Sequence, residues 1–355
     1  MGSGHAEHGR VTGESNTKAM LRFIIRRLLI TIPTVLIIVT LTWGLIRLAP
    51  GSFYTGEKRI PPAIEKNIRE KYGLDKPWYV QYGRVMAGVF GFQYGTVVDE
   101  NGKETLGSDG QPVKKYQWHP YPYFGESLTY PGQSVNQILR RSLPVSATLG
   151  ILAYLLALIV GLTAGTLAAL KQNSKTDYAS MALAMLGISV PNFVLGPLLI
   201  LLFSLTFYWL PPARWGGFPS WNLVMPVLTL SALYMAYIAR LTRSGMLEVL
   251  RADYVRTARA KGLSEKQVVF RHVMRGGLLP VISFSGPALA YLITGTVVVE
   301  QIFALPGLGN YFLNANFARD EPLIIGIVAF LAILILVFNL LVDIAYAVID
   351  PRIRY

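Results

Sequence analysis

Six stretches of this sequence are long enough and apolar enough to cross a lipid bilayer as helices. Backbone polar groups in hydrocarbon must be paired inside their own element, and a spanning helix needs about 20 mainly apolar residues. The composition agrees, because only 15% of the 355 residues are charged, against about a quarter in soluble domains. The sequence therefore predicts an all-α integral membrane protein with six transmembrane helices. The runs lie at residues 24–48, 143–170, 179–205, 222–240, 278–299 and 323–349.

Basic residues are concentrated beside some of these runs and are scarce beside others. They cluster before the first run, in residues 171–175, in residues 240–275 and after the sixth run, whereas residues 206–221 and 300–322 hold one each. Short cytoplasmic loops carry such an excess, so we expect a multi-pass protein with both termini in the cytoplasm. We attribute the net charge of +13 to basic residues that orient the chain in the membrane and contact membrane lipid. We expect no nucleic-acid partner.

The segments outside the runs set the expected domain organisation. Residues 1–19 are polar and rich in Gly and Ser, which predicts a disordered leader or residues added to the native chain. Residues 20–50 are then the first transmembrane helix, and residues 51–142 are an extracytoplasmic loop region. Residues 143–355 hold the other five helices, with a cytoplasmic loop at residues 241–277.

The extracytoplasmic region carries some local structure of its own. Apolar residues at helical spacing predict two short amphipathic helices. The first begins at Pro61 and Pro62 and ends at Gly73, because proline suits a helix start and glycine a helix stop. Asn101 and Gly102 lie between strand-forming residues, which is typical of a hairpin turn.

The sequence lacks the motifs of a phosphate-binding loop and of an intramembrane protease, and it lacks cysteine for a thiolate site. Gly102 and Lys103 form the one Gly-Lys pair, without the earlier glycine of a phosphate-binding loop. The stretch GLGN at residues 307–310 has an amide where an aspartyl protease needs a carboxylate. There is no cysteine, and the four histidines show no ligand spacing beyond the terminal pair. We expect no catalytic residue, no metal and no cofactor bound by this chain, and therefore not an enzyme.

The basic loop between the fourth and fifth runs has the pattern of a helix, a glycine and a second helix. Gly262 can adopt a left-handed conformation and end the first helix, and Ser264 can cap the second with Gln267 at capping-box spacing. One face of the first helix is expected to hold the apolar residues Met246, Leu247, Leu250, Tyr254 and Ala258.

Two interpretations of this loop remain open from spacing alone. A basic amphipathic helix can rest on anionic lipid. Alternatively, the small residues Ala258, Ala260 and Gly262 allow another protein backbone to approach closely, which favours a docking element.

At these residues the sequence resembles the inner-membrane permease subunits of bacterial ABC importers. Their loop carries Glu-Ala-Ala, three residues and Gly, followed later by Ile-x-Leu-Pro. Here Arg256 and Thr257 replace the first two residues, while Ala258 and Gly262 match. The later motif is replaced by HVMR at residues 272–275, a departure that resembles the peptide/nickel branch.

Other stretches resemble that branch over essentially residues 20–355. They are RRLLITIPT, RLAPG, YGLDKPWYVQYG, LPVSATLG, SVPNFVLGPLL, VVVEQIFALPGLG and YAVIDPRIRY. Within the branch, the resemblance is greatest to the B-type subunit of oligopeptide permeases. The stretch around residues 95–132 is longer than usual for the group, which leaves its role open.

The resemblance implies a type I ABC importer permease fold in the bacterial inner (plasma) membrane. This chain would form half of the pore beside a second permease subunit. Two ATPase subunits would bind ATP and Mg, and an extracytoplasmic peptide-binding protein would deliver oligopeptides. The same architecture would also suit import of dipeptides, glutathione, opines or nickel. A stand-alone secondary transporter or channel is the alternative from another class.

The resemblance also implies which residues act. The glycine-centred loop would be a coupling helix that contacts an ATPase. The expected contact residues are Tyr254, Arg256, Thr257, Ala258, Arg259, Ala260, Lys261, Gly262, Leu263 and Glu265.

Polar residues inside the runs are candidates for the translocation path, because such groups are costly in the membrane and often functional. Glu300, at the outer end of the fifth run, is a candidate outer-gate or binding-protein contact. For Asn339 and Asp343, which share one helix face, helix packing or topology is the favoured interpretation. The path or gate candidates are Ser189, Asn192, Thr294, Thr296 and Glu300.

Overall fold

The computed structural model describes residues 7–49, 66, 69, 73–96, 113–212 and 214–349, and most of them are helical. The first part of the chain contains helices α1 (Glu7–Leu48) and α2 (Trp78–Val89), strands β1 (Phe92–Thr96) and β2 (Lys114–Trp118), and helices α3 (Val135–Leu170), α4 (Lys175–Ser189) and α5 (Asn192–Leu199). The second part contains α6 (Val224–Leu250), α7 (Asp253–Ala260), α8 (Glu265–Val268), α9 (Met274–Gly277), α10 (Leu279–Ile293), α11 (Val297–Ile302), α12 (Leu308–Ala318) and α13 (Glu321–Ile349). Short π-helical segments follow α5 and α8, at Ile200–Thr206 and Val269–Val273.

The six predicted spans are present, but the third is not one continuous helix. Five spans are Ile25–Leu48, Val135–Leu170, Trp221–Leu250, Leu279–Ile302 and Glu321–Ala345. The third consists of Lys175–Ser189 and Asn192–Thr206, which are bent by 101°. Pro191 has no N–H and disfavours helical conformation in the residue before it. Val190 is accordingly extended, with φ −90° and ψ 111°.

Helix α1 begins earlier than the sequence suggested. It starts at Glu7, so residues 7–19 are helical where a disordered leader was expected. Extending an existing helix adds one hydrogen bond for each residue that is fixed, whereas starting a new one is costly. The apolar run therefore supports a helix that continues backwards into polar sequence.

Contacts within the chain define two compact units. The first comprises residues 1–32, 143–310 and 333–355. Its main apolar cluster joins α3, α6, α10 and α11, with Leu149, Ile238, Leu292 and Phe303 fully buried. Gly165 in α3 permits close helix packing, because an added Cβ would lie 2.5 Å from the carbonyl oxygen of Ala239 in α6. Small residues of this kind let transmembrane backbones approach closely.

The second unit comprises residues 33–142 and 311–332. Strands β1 and β2 pair antiparallel, with Thr96 opposite Lys114, and the predicted turn at Asn101 and Gly102 lies outside the described residues. Helix α2 lies against α1 through a 2.9 Å hydrogen bond between the hydroxyls of Tyr82 and Thr40.

The first of the two predicted amphipathic helices falls largely outside the described residues. Lys66 and Arg69 are helical, and Gly73 has the left-handed φ of +67° that suits a helix stop. Helix α2 occupies the position expected for the second.

Candidate functional site

The loop at residues 241–277 folds into a small element that we call the α7–α8 element (residues 253–268). Gly262 has φ +80°, and Ser264 and Gln267 form a capping box at the start of α8, so both local predictions are confirmed. An added Cβ at Gly262 would meet no atom within 4 Å. Backbone conformation alone therefore requires glycine here.

The prediction of one apolar face that includes Tyr254 was wrong. Helix α6 ends at Leu250 and α7 begins only at Asp253, and this interruption changes which residues of α7 point inward. Val255 is fully buried, whereas the Tyr254 side chain is 51% exposed. The predicted face assumed one continuous helix from Met246 to Ala258, but the helix is interrupted between Leu250 and Asp253.

The α7–α8 element has an apolar core within its own chain. Val255 and Ala258 are buried together with Met246, Val268 and Val273. Ala258 therefore faces this core, and of the small residues expected to admit another backbone, only Ala260 and Gly262 lie on the exposed side. The element is preformed without any partner.

The exposed side of the element is basic. The Arg259 guanidinium donates to Glu265 at 2.9 Å and so links α7 to α8 across the turn. Exposed pairs of this kind contribute little stability, and their effect here is to orient the side chains. Arg256, Thr257, Ala260 and Lys261 are also exposed, and Leu263 is half-buried.

Ser189 and Asn192 lie at the break in the third span. Ser189 is the last residue of α4 and is exposed, and Asn192 is the first residue of α5 and is half-buried. The structure therefore brings these two predicted path residues together at a bend of 101° in a span that was expected to be continuous.

Thr294 and Thr296 lie at a second interruption, between α10 and α11, where Gly295 has φ +90°. Both side chains are only 8% exposed. The Thr294 hydroxyl donates to the Ala290 carbonyl at 3.0 Å. The Thr296 hydroxyl has no hydrogen-bond partner among the described residues. Unlike Ser189, they face the interior of their unit.

Glu300 is buried, with 1% of its surface exposed, and its carboxylate is occupied by donors of its own chain. The Ser146 hydroxyl of α3 donates to Oε1 at 2.7 Å, and the Asn310 N–H at the start of α12 donates to Oε2 at 2.9 Å. The Leu308 N–H donates in turn to Ser146 at 2.8 Å. The carboxylate thus fixes the turn before α12, and its expected role as a gate or binding-protein contact stays a prediction.

Glycines make room for this carboxylate. A Cβ added at Gly307 would overlap the carboxyl group of Glu300, and one added at Gly309 would lie 2.7 Å from the backbone nitrogen of Val297. The sequence did not identify Ser146 as a partner of this carboxylate. No local pattern joins Ser146 to a carboxylate 154 residues away.

Two further ion pairs hold spans of the first unit together. Asp343 in α13 pairs with Arg27 in α1 at 2.6 Å, which agrees with the expected packing role of Asp343. Asp177 in α4 is 2% exposed and accepts two hydrogen bonds from Arg243 in α6, at 2.6 and 2.8 Å. The second pair was not predicted.

Comparisons with known proteins give consistent results over almost the whole chain. The family "Binding-protein-dependent transport system inner membrane component" matches residues 161–355, and the model of its N-terminal part matches residues 20–150. The oligopeptide transport system permease protein OppB is 42% identical in Haemophilus influenzae and 43% in Escherichia coli K12, in each case over 95% of this chain and 100% of the relative. The dipeptide transport system permease protein DppB of Bacillus subtilis is 39% identical over 94% of this chain and 98% of the relative.

A solved structure shows the same fold. An inward-facing form of the MetNI methionine ABC transporter aligns with a TM-score of 0.50 at 16% identity, over 60% of this chain and 96% of the other.

Proposed function

This chain belongs to the inner-membrane components of binding-protein-dependent transport systems, within the peptide branch of ABC importer permeases, and we propose that it forms half of the pore of an ATP-driven oligopeptide importer. The names of the relatives support a peptide substrate. Dipeptides are the second candidate, because the relative from Bacillus subtilis is a dipeptide permease.

The proposed assembly contains four other chains. A second permease completes the pore, two ATPase subunits bind ATP and Mg, and an extracytoplasmic binding protein delivers the peptide. The distribution of basic residues supports both termini in the cytoplasm. In that orientation the α7–α8 element would lie on the ATPase side of the bacterial inner membrane.

The α7–α8 element carries the coupling proposal. Its inner side is filled by Val255 and Ala258, and its outer side presents Arg256, Ala260 and Lys261 to solvent. A preformed element with a basic, small-residue surface suits a groove on an ATPase better than it suits lipid, where a long apolar face would be required. ATP bound to the docked ATPase subunits can move the transmembrane spans only if it binds one arrangement of the transporter more tightly than the other.

Tagged transporter purified from native membranes tests this proposal. Ala260→Glu places a charge on the exposed side without entering the core, so the variant should fold while losing most of the ATPase subunits from the purified complex. Lys171→Glu, an exposed change in another basic loop, is the matched control and should retain them. Ala258→Glu is unsuitable because it would disrupt the core of the element itself.

Two outcomes would contradict the proposal. ATPase recovery and ATP-driven peptide uptake at wild-type levels in Ala260→Glu would show that docking does not occur there. Peptide uptake by this chain alone in liposomes, without ATP, would favour the stand-alone transporter instead.

A further inference from the structure

The break in the third span leaves a row of backbone groups without partners. Among the described residues, the carbonyls of residues 187–190 accept no hydrogen bond, and the N–H groups of Asn192 and Phe193 donate none. Pro191 causes part of this, because it has no N–H to offer the Gly187 carbonyl. Ser189 and Pro191 are exposed, so the region is open on at least one side.

These groups lie far from the ends of the helices around them. A Cβ added at Gly187 would lie 2.8 Å from the Ala232 carbonyl in α6. Ala232 follows Val224, the first residue of α6, by eight positions, or about 12 Å along the helix. The α4 segment before the break has 15 residues, or about 22 Å. The break is therefore distant from both ends of the span.

Lipid cannot cover such a region at low cost. Each unpaired backbone group in hydrocarbon costs several kcal/mol, and non-helical backbone at this depth is tolerated where it is buried in protein or lines water. Between residues 179 and 198, the exposed residues other than Ser189 are apolar, as Leu183 and Phe193 illustrate. The break is therefore a polar interruption of an apolar stretch of surface.

We propose that the break, residues 187–193, lines the water-filled path and binds the main chain of the transported peptide. This inference rests on the proposed function. The carbonyls of the break accept hydrogen bonds from peptide N–H groups, while the Asn192 and Phe193 N–H groups and the Asn192 amide donate to peptide carbonyls. Every peptide residue carries this pair of groups whatever its side chain, so the site would serve peptides of varied sequence.

The absence of cysteine permits a direct accessibility test. Ser189→Cys and Asn192→Cys each introduce a single thiol, to be treated with a membrane-impermeant, trimethylammonium-bearing methanethiosulfonate in the assembled transporter. Only a thiolate reacts, and it forms in water, so both variants should react at least about tenfold faster than Leu183→Cys, an exposed thiol among apolar neighbours. Trialanine, delivered by the loaded binding protein, should slow both reactions.

Pro191→Ala tests the binding role. The new N–H can pair with the Gly187 carbonyl and extend α4 through the break, so ATP-driven trialanine uptake should fall about tenfold, the effect of about 1.4 kcal/mol on a rate. Pro197→Ala, within α5 and away from the break, is the matched control and should transport normally. Recovery of all five chains with each variant verifies folding.

Several results would overturn the inference. Inert thiols at positions 189 and 192 would mean that lipid or the second permease covers the break. Equal rates at positions 183, 189 and 192 would mean that water wets the whole surface, and unchanged uptake by Pro191→Ala would remove the binding role. If wild-type transporter imports trialanine with ATP, any of these results refutes this inference alone. If it does not, the proposed function fails.

Discussion

Replacing Glu300 with alanine would remove the carboxylate that joins α3 to the start of α12. The Ser146 hydroxyl and the Asn310 N–H each lose an acceptor in a buried site. An unsatisfied buried donor costs about 1–3 kcal/mol, so the two together predict a loss of about 3 kcal/mol, with some relief if water enters. Glu300→Gln retains one acceptor oxygen but turns an NH₂ group toward a donor, and should cost about 1–2 kcal/mol.

Thermal unfolding of the purified complex measures this effect. A cooperative unit of about 150–250 residues loses about 2–4 °C for each kcal/mol, so Glu300→Ala should melt about 6–12 °C below wild type. Glu248→Ala removes an exposed carboxylate in α6 and is the control, with an expected change within about 0.5 kcal/mol.

The same experiment separates the two interpretations of Glu300. If Glu300→Ala melts within about 2 °C of wild type yet abolishes uptake, the carboxylate acts as a gate or a contact. The hydrogen bonds of Glu300 to Ser146 and Asn310 would then not stabilise the fold. A double-mutant cycle with Ser146→Ala should give a coupling energy of about 0.5–3 kcal/mol. A coupling near zero would contradict the hydrogen bond between them.

Three further substitutions test other parts of the fold. Gly307→Ala should lower the melting temperature, because its Cβ would overlap the Glu300 carboxyl group, and an unchanged melting curve would refute that packing. Arg243→Ala leaves the Asp177 carboxylate buried without its partner and should cost about 3 kcal/mol in thermal unfolding, whereas wild-type stability would show that solvent reaches the carboxylate. Gly262→Ala keeps the space but imposes a left-handed conformation on alanine, so it should cost about 1 kcal/mol, with ATPase recovery reduced far less than by a charge on the α7–α8 surface.

Periodicity and turn chemistry determined much of this protein from sequence alone. The number of spans follows from run lengths against bilayer thickness, and the ends of α7 and α8 follow from Gly262 and Ser264, because these are local requirements on a few consecutive residues. Pro191 was visible too, yet its consequence, a 101° bend, was not deduced. A transmembrane proline can also be accommodated with a small kink when neighbouring groups pair the released carbonyl.

Tertiary structure alone decided which polar residues are inside. Glu300 has the same chemistry whether it faces a pore or a buried turn, and only the approach of Ser146 from another helix shows that its acceptors are occupied. Likewise, the interruption after Leu250 turned Val255 inward in place of Tyr254. Sequence determines local geometry through nearby steric and hydrogen-bonding rules, whereas side-chain burial depends on residues distant in the chain, which no local pattern encodes.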